Sequence, residues 1–320
     1  MRKLMVLFLI FGLLAAAVVP AFAQDDDDEE EEPAATEEAD EEEMFEFEVE
    51  EDLGSEDNPI VLLFVPSEDA EEIQAGVDEL VALVEEESGL TIEASVASDY
   101  AAAIEAMCSA EAHFGALATF SYILASARGC AEVVLVSVRF GSPFYQGQVV
   151  TTADSGIEGY EDLAGTTFCR PDPLSTSGWI VPSIAMQANG VDLDSLDVVE
   201  AGGHDGVITA VYNGECDAGA TFVDARSQVE DELTDVNDVV IVIAESPEIP
   251  NDALAVSPVM PEEVREALVE SLLAIAEDED NAELLESVYN WSSLTEADNT
   301  FFDDFRQTLD AAGIDVEDLQ

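Results

Sequence analysis

One segment of the sequence places three hydroxyl side chains in a row, Ser175, Thr176 and Ser177, directly before Gly178. A predicted strand ends shortly before this segment and a predicted helix begins at Gly178. At the start of a helix, unpaired backbone N–H groups and the positive end of the helix dipole attract an anion. One serine or threonine is enough to cap a helix, so capping leaves two hydroxyls unexplained. The segment therefore predicts an anion site that needs no basic side chain.

A second segment, residues 201 to 206, has the sequence AGGHDG and again lies between a predicted strand and a predicted helix. Its glycines let the backbone come close to a ligand. His204 is either an ordinary residue of the turn or a hydrogen-bond donor to an oxyanion. A hydrolase built from Ser177, His204 and Asp224 is a further alternative, but no serine lies in a G-x-S-x-G motif. We therefore expect binding rather than catalysis.

The chain has four cysteines, Cys108, Cys130, Cys169 and Cys216. An even number in an exported protein suggests two disulfides, for which three connectivities are possible. We favour Cys108–Cys130 and Cys169–Cys216, because each pair then lies within one half of the sequence pattern. No two cysteines have C-x-x-C spacing, so a zinc site is not expected.

Strands and helices alternate after residue 57, which predicts an α/β protein with mostly parallel sheets. Residues 58 to 320 are more than one hydrophobic core usually holds, so we expect two lobes, with the ligand near the carboxyl ends of strands. The predicted strands are 60–65, 90–95, 113–118, 133–138, 148–152, 166–169, 198–200, 218–222 and 239–243. The predicted helices are 73–84, 100–107, 178–189, 205–212, 261–276, 281–288 and 300–312.

The chain is strongly acidic, with 74 Asp and Glu against 8 Lys and Arg and a net charge of −66. This charge excludes nucleic acid as a partner and disfavours an anionic membrane surface. Residues 25 to 57 hold 21 acidic residues and no base, so 24–57 is predicted to be a disordered acidic spacer. Hydrophobic residues make up 48% of the chain, which is ordinary for a globular protein.

The first 23 residues have the pattern of a secretory signal peptide. Arg2 and Lys3 precede an apolar run over 4–19, and the segment ends in the A-x-A pattern of Ala21 and Ala23. We expect cleavage after Ala23 and export to the periplasm or the outer face of the cytoplasmic membrane. No lipobox cysteine lies near the cleavage site, so retention at a membrane would need another device.

Several motifs in order resemble the PhnD-like phosphate-, phosphite- and phosphonate-binding proteins of ABC importers. They are DYAA at 99–102, STSG at 175–178, GGHD at 202–205 and GECDAGA at 214–220. The similarity covers about residues 58 to 315. It implies a type 2 periplasmic-binding-protein fold, in which two α/β lobes with mixed sheets are joined by two crossing hinge strands. Lobe 1 would comprise 58–146 and 246–320, and lobe 2 would comprise 147–245.

The resemblance also implies the residues that bind the ligand. They are Tyr100, Tyr145, Ser175, Thr176, Ser177, His204, Asp224 and Asp252. The hydroxyls would hold the phosphorus oxygens. The two acids would contact an ammonium group in members that take aminoalkylphosphonates, or accept from a protonated oxyanion in members that take phosphite. A small bare anion would instead favour a tight pocket closed by Tyr100 and Tyr145. The resemblance places Cys169 and Cys216 on neighbouring strands, which supports their pairing.

Each implied residue also has an ordinary structural role open to it. Tyr100 could start a helix, Tyr145 could pack at the hinge, Asp224 could cap a helix and Asp252 could belong to a turn. Arg170 and Arg226 could pair with nearby groups, and we do not place either at the ligand.

The implied function is an extracytoplasmic solute-binding protein that closes its lobes on a phosphorus oxyanion and delivers it to an ABC permease. The alternative is a sensor that presents the same ligand to a membrane signalling partner. Both functions suit a monomer without enzymatic activity, and neither requires a cofactor or a metal.

Overall fold

The computed structural model describes residues 47 to 314 and residue 316. The predicted signal peptide, 1–23, and most of the predicted spacer, 24–46, lie outside the described residues. The end of the spacer belongs to the folded body, because Leu53 is buried in a hydrophobic core and Thr91 N–H donates to the Gly54 carbonyl. The folded body therefore begins before the predicted boundary at residue 58. No helix among the described residues is long and apolar enough to cross a membrane.

Strands and helices alternate along most of the described chain. In chain order they are β1 (Ile60–Phe64), α1 (Ala70–Ser88), β2 (Ile92–Val96), α2 (Tyr100–Cys108), β3 (Phe114–Leu117), α3 (Thr119–Ala127), β4 (Glu132–Val138), β5 (Phe144–Thr152), β6 (Thr167–Arg170), α4 (Val181–Ala188), β7 (Asp197–Glu200), α5 (His204–Tyr212), β8 (Ala218–Phe222), α6 (Val236–Val239), β9 (Val240–Pro250), β10 (Ala253–Val256), α7 (Glu262–Glu277), α8 (Ala282–Tyr289), β11 (Ser293–Glu296) and α9 (Asp303–Ala311).

The strands form two sheets, and both are mixed rather than mostly parallel. The first sheet has the order β11-β4-β10-β3-β1-β2, and β10 runs antiparallel to both of its neighbours. The second sheet has the order β7-β6-β8-β5-β9, and β5 runs antiparallel to β8 and β9. Apolar side chains cover each sheet on both faces and form the cores of the two lobes.

The chain passes between the sheets twice, once from β4 to β5 and once from β9 to β10. The predicted lobe boundaries, 146/147 and 245/246, fall inside β5 and β9, which pair antiparallel along their length. We use lobe 1 for the elements around the first sheet and lobe 2 for those around the second. The sequence pattern did not predict α3, α6, β10 and β11, and the strands predicted in place of β5 and β9 are shorter than those of the structure.

The two favoured disulfides are present. Cys108 at the end of α2 bonds Cys130 just before β4, and Cys169 on β6 bonds Cys216 just before β8. Each bond joins parts of one lobe, so the prediction that each pair lies within one half of the pattern is confirmed.

Candidate ligand-binding site

A small cavity lies where the two lobes meet. Its volume is about 20 Å³, which is room for a body the size of one water molecule. Seven of the eight predicted ligand-binding residues line it, namely Tyr100, Tyr145, Ser175, Thr176, Ser177, His204 and Asp252. Ser67, Glu68, Arg139 and Phe222 line it too, and none of these four was predicted. The structure therefore brings together side chains from both lobes.

The three consecutive hydroxyls form the cavity wall on lobe 2, and we call Ser175, Thr176 and Ser177 the hydroxyl turn. They begin a π-helical turn, Thr176–Ile180, that continues into α4. The Oγ of Ser175 accepts a hydrogen bond from the Gly178 N–H at 3.1 Å, so its own proton remains free to donate. All three hydroxyl residues are buried. The three hydroxyls thus lie at the start of a helical segment, and that they hold an anion stays a prediction.

His204 begins α5 and lies next to the hydroxyl turn. Its Nε2 is 3.5 Å from the Ser175 Oγ and its Nδ1 is 2.8 Å from the Thr221 Oγ1. Burial, and to a smaller extent the positive charge of Arg139, together lower the pKa of His204 to about 3. The ring is therefore neutral at physiological pH, with one N–H donor and one acceptor nitrogen. It offers the cavity hydrogen bonding rather than charge.

Two tyrosines close the cavity from different lobes. Tyr100 at the start of α2 is buried, and burial raises the pKa of its hydroxyl well above the ordinary value. Loss of solvent raises the pKa of Tyr145 to about 12, although hydrogen bonds with Ser177 and Thr119 act against this rise. Both hydroxyls are therefore protonated near neutral pH and can donate to an anion.

Arg139 brings a positive charge to the cavity, although the sequence predicted an anion site that needs no basic side chain. Its Nη2 lies 2.6 Å from the Asp252 Oδ2. Burial raises the pKa of Asp252, and Arg139 lowers it. Arg139 lies between the predicted strand 133–138 and Tyr145, and this position near the lobe crossing is the sequence signal that could have identified it. The cavity therefore contains a basic side chain that was not among the predicted ligand-binding residues.

Three backbone N–H groups donate hydrogen bonds from one lobe to the other beside the cavity. The Tyr100 N–H donates to the Asp172 Oδ2 at 3.2 Å, and the Phe120 N–H donates to the Thr176 Oγ1 at 3.0 Å. The His204 N–H donates to the Ser67 carbonyl at 2.9 Å. Asp172 lies three residues before the hydroxyl turn, and no role was predicted for it from the sequence. The residues that line the cavity also hold the lobes together.

Asp224 is the one predicted ligand-binding residue that does not line the cavity. It is exposed, has a left-handed φ of 70°, and lies in a neighbouring groove of about 230 Å³ with Phe140, Phe144 and Glu248.

Arg170 and Arg226, which were not predicted to bind the ligand, bind other groups of the protein. The Nη2 of Arg170 is 2.9 Å from Glu200, and the Nη1 of Arg226 donates to the Val240 carbonyl.

Comparison with known proteins adds the family. The model of the family described as "ABC transporter, phosphonate, periplasmic substrate-binding protein" matches residues 62–302. The chain belongs to this family. Its members are solute-binding proteins rather than enzymes, and the predicted resemblance is confirmed. The family is periplasmic, which agrees with export of the chain.

One curated protein is similar to part of this chain. The phosphate-import protein PhnD of Mycolicibacterium smegmatis is 33% identical over 175 residues, which cover 51% of this chain and 54% of that one. The chain thus spans about half the length of this curated relative.

Two solved structures of the family share the fold. The binding component of a Pseudomonas aeruginosa ABC phosphonate transporter has a TM-score of 0.73 at 22% identity, over 79% of this chain and 86% of that one. Prochlorococcus marinus PhnD1, solved with methylphosphonate, has a TM-score of 0.69 at 13% identity, over 80% and 98%. These likenesses confirm the predicted two-lobed type 2 fold.

Gly203, in the turn before His204, lies against the opposite lobe. A Cβ at this position would lie 3.3 Å from the Glu68 Cα and 3.4 Å from the Ser67 carbonyl oxygen, and it would also meet the Asp205 carboxylate. We expect Gly203→Ala to keep the lobes slightly apart and to weaken ligand binding about threefold to tenfold, on the order of 1 kcal/mol. Calorimetric titration of both proteins checks this expectation. Unchanged affinity would show that close approach at Gly203 is not needed.

Proposed function

We propose that this protein captures a phosphorus oxyanion between its lobes and delivers it to an ABC permease, acting as a monomer outside the cytoplasmic membrane. The observation that carries the proposal is the meeting of the hydroxyl turn, neutral His204 and Arg139 in one buried cavity between the lobes. Family membership supports the transport role.

The donors around the cavity suit a tetrahedral oxyanion. Ser175 supplies a hydroxyl at the start of a helical segment, Tyr100 supplies one from the other lobe, and Arg139 supplies a guanidinium. Hydrogen bonds to an ionised oxygen are about twice as strong as those between neutral groups. Glu68 and Asp252 also line the cavity, and a carboxylate near the ligand repels a fully deprotonated anion but accepts a hydrogen bond from a P–OH group. This combination favours phosphate or phosphite over sulfate, which carries no proton at neutral pH.

The donors around the cavity come from both lobes, which explains why a ligand would close the lobes. Tyr100 and Arg139 belong to lobe 1, whereas Ser175 and His204 belong to lobe 2. An anion that accepts from both sets links the lobes and adds to the three hydrogen bonds that already cross between them. Ligand binding then shifts the population toward the closed form, because only that form completes the donor set.

Calorimetry on the exported protein tests the proposal. The titrants are phosphate, phosphite, methylphosphonate and 2-aminoethylphosphonate, with sulfate as the control anion. We expect at least one phosphorus anion to bind with a micromolar or lower Kd and sulfate to bind at least a hundredfold more weakly. Absence of micromolar binding by every phosphorus anion would contradict the proposal. Intact mass and sedimentation of the same sample test cleavage after Ala23 and the monomeric state.

Ser175→Ala removes one donor from the hydroxyl turn. We expect ligand binding to weaken by a few-fold to a hundredfold, about 1–3 kcal/mol, because a hydrogen bond to a charged oxygen is lost. The variant also loses the cap on Gly178 N–H, so the midpoint of thermal unfolding should fall slightly. The affinity is measured by the same titration.

Ser183→Ala is the matched control. Ser183 is also buried on α4, but its hydroxyl donates to the Ile180 carbonyl and does not line the cavity. We expect wild-type affinity from this control. Equal affinity of Ser175→Ala and the wild type would place the anion elsewhere.

A further inference from the structure

An ion pair is built into the lobe 1 wall of the cavity. Arg139 follows β4 and Asp252 precedes β10, and these strands are antiparallel neighbours. The Ser137 N–H donates to the Asp252 carbonyl at 3.1 Å, so the sheet holds the two residues close together. The side chains of Arg139 and Asp252 are 12% and 11% exposed. The pair is therefore fixed by the fold and largely removed from water.

The guanidinium retains hydrogen-bonding capacity beyond this pair. Its Nη2 binds Asp252, whereas its buried Nε has no hydrogen-bond partner among the residues that the structure describes. A buried donor without a partner is rare in folded proteins and commonly marks a place where a ligand or water binds. Arg139 thus lines the cavity as a cation with an unused donor.

The carboxylate of Asp252 is already balanced by this guanidinium. An ammonium group on a ligand needs a carboxylate with uncompensated charge, but Asp252 lies 2.6 Å from Arg139. The other acid implied by the family resemblance, Asp224, is exposed and lies outside the cavity. An ammonium group placed beside Asp252 would also be close to a fixed positive charge and would be repelled by it.

The groove next to the cavity shares part of the cavity wall, including Arg139. Arg139, Tyr145 and Phe222 line both the cavity and the neighbouring groove that contains Asp224. A substituent on phosphorus that extends toward this groove therefore passes the guanidinium. The guanidinium repels a cationic substituent at this point, although Asp224 and Glu248 also line the groove. A hydrogen, a hydroxyl or a methyl group is not repelled.

We infer that the Arg139–Asp252 ion pair makes this site selective for phosphorus oxyanions without a cationic substituent, and against aminoalkylphosphonates. The inference rests on the proposed function and narrows its ligand. Arg139 then determines specificity, because its guanidinium pairs with the Asp252 carboxylate that a ligand's ammonium group would otherwise contact.

The test compares two ligands of nearly equal size, ethylphosphonate and aminomethylphosphonate, which differ by a methyl group in place of an ammonium group. For the wild type we expect ethylphosphonate to bind at least tenfold more tightly. For Arg139→Met we expect the affinity for ethylphosphonate to fall tenfold to a hundredfold. The ratio of the affinities for ethylphosphonate and aminomethylphosphonate should fall at least tenfold, because the Asp252 carboxylate is released. Calorimetric titration gives both affinities.

Three further variants keep the test decisive. Arg139→Met/Asp252→Asn leaves no unpaired buried carboxylate, so it folds even if the single variant does not, and it should show no preference between the two ligands. Arg265→Met removes an arginine from an exposed pair with Glu132 and should keep the wild-type preference. Glu68→Gln changes a residue of the cavity wall and can change both affinities, but it should keep the ratio between them.

Several outcomes would overturn the inference. They are equal wild-type affinity for the two phosphonates, an equal loss of both in Arg139→Met, or a preference that depends on Glu68 instead. If phosphate binds but ethylphosphonate does not, size alone selects the ligand and the inference is again wrong. If no phosphorus anion binds, the proposed function fails, which separates the two failures.

Discussion

Replacing Gly178 by alanine is expected to abolish ligand binding at micromolar concentrations, a loss of more than a hundredfold. A Cβ at this position would lie 2.6 Å from the Pro171 Cγ and 2.8 Å from the Ser175 Oγ. The proline ring is held in the chain and cannot rotate away, so the segment that contains the hydroxyl turn must move. The donors then no longer converge on the cavity.

The same clash should destabilise the fold moderately. Inserting a methyl group into a well-packed region costs about 1–3 kcal/mol, which most folded proteins survive. We therefore expect Gly178→Ala to fold, with a lower thermal midpoint and without detectable phosphate or phosphite binding in calorimetry.

Gly159→Ala serves as the matched control on the same lobe. A Cβ there would meet only the flexible end of the Glu161 side chain, 2.9 Å from its Oε2, and the backbone φ of −170° is open to alanine. We expect wild-type binding from this control. If Gly178→Ala also kept wild-type affinity, the hydroxyl turn could not be the place where the anion binds.

The sequence was most informative where the chemistry of the site is local. The hydroxyl turn and His204 both begin helical segments, and a strand, a short turn and a helix start can be recognised within about ten consecutive residues. Both disulfides could likewise be favoured from the order of the cysteines along the chain. Consecutive residues determine the two helix starts, so their pattern was enough, whereas the disulfides required only the order of four cysteines.

The sequence was least informative where the site depends on contacts between distant segments. Arg139 meets Asp252 only because β10 inserts beside β4, and β10 is a run of four residues that was not predicted as a strand. Asp172 meets the backbone of Tyr100 only because the lobes touch. Residues 72 and 113 positions apart in sequence form these contacts, and no local period encodes them.

Asp224 illustrates a different limit. Its residue type and its place after a strand fit the family pattern, but its left-handed backbone and exposed position leave it in the outer groove. A motif match gives the position of a residue along the chain. It does not give the direction of the side chain, which depends on the turn that follows β8.

The second large effect concerns His204 and the pH dependence of stability. Its pKa falls from 6.5 to about 3 on folding, because burial disfavours the charged ring. Between these two values the unfolded chain binds a proton that the folded protein does not. The contribution of the neutral ring to the free energy of unfolding is therefore fully present above pH 6.5, and it is lost as the pH falls toward 3. The slope approaches about 1.4 kcal/mol per pH unit in the middle of this range.

We expect His204→Gln to lose this dependence, since glutamine does not titrate. The free energy of unfolding, measured by denaturant titration from pH 4 to pH 8, should differ between wild type and variant by a constant above pH 6.5. Below that pH the difference should shift against the wild type, by a few kcal/mol in total. Burial also raises the pKa of Asp172 and of Asp205, but both acids are common to the two proteins, so their contribution to the pH dependence cancels.

The only other histidine, His113, provides the comparison. Burial lowers the pKa of His113, whereas Glu50 raises it, so the opposing charge reduces the shift. His113→Gln should therefore remove a smaller part of the acid sensitivity than His204→Gln does. Parallel stability curves for wild type and His204→Gln from pH 8 to pH 4 would mean that His204 binds its proton equally in the folded and unfolded states, so that burial does not lower its pKa. The ring would then become an imidazolium beside Arg139 as the pH falls below 6.5, contrary to the neutral hydrogen-bonding role derived from its burial.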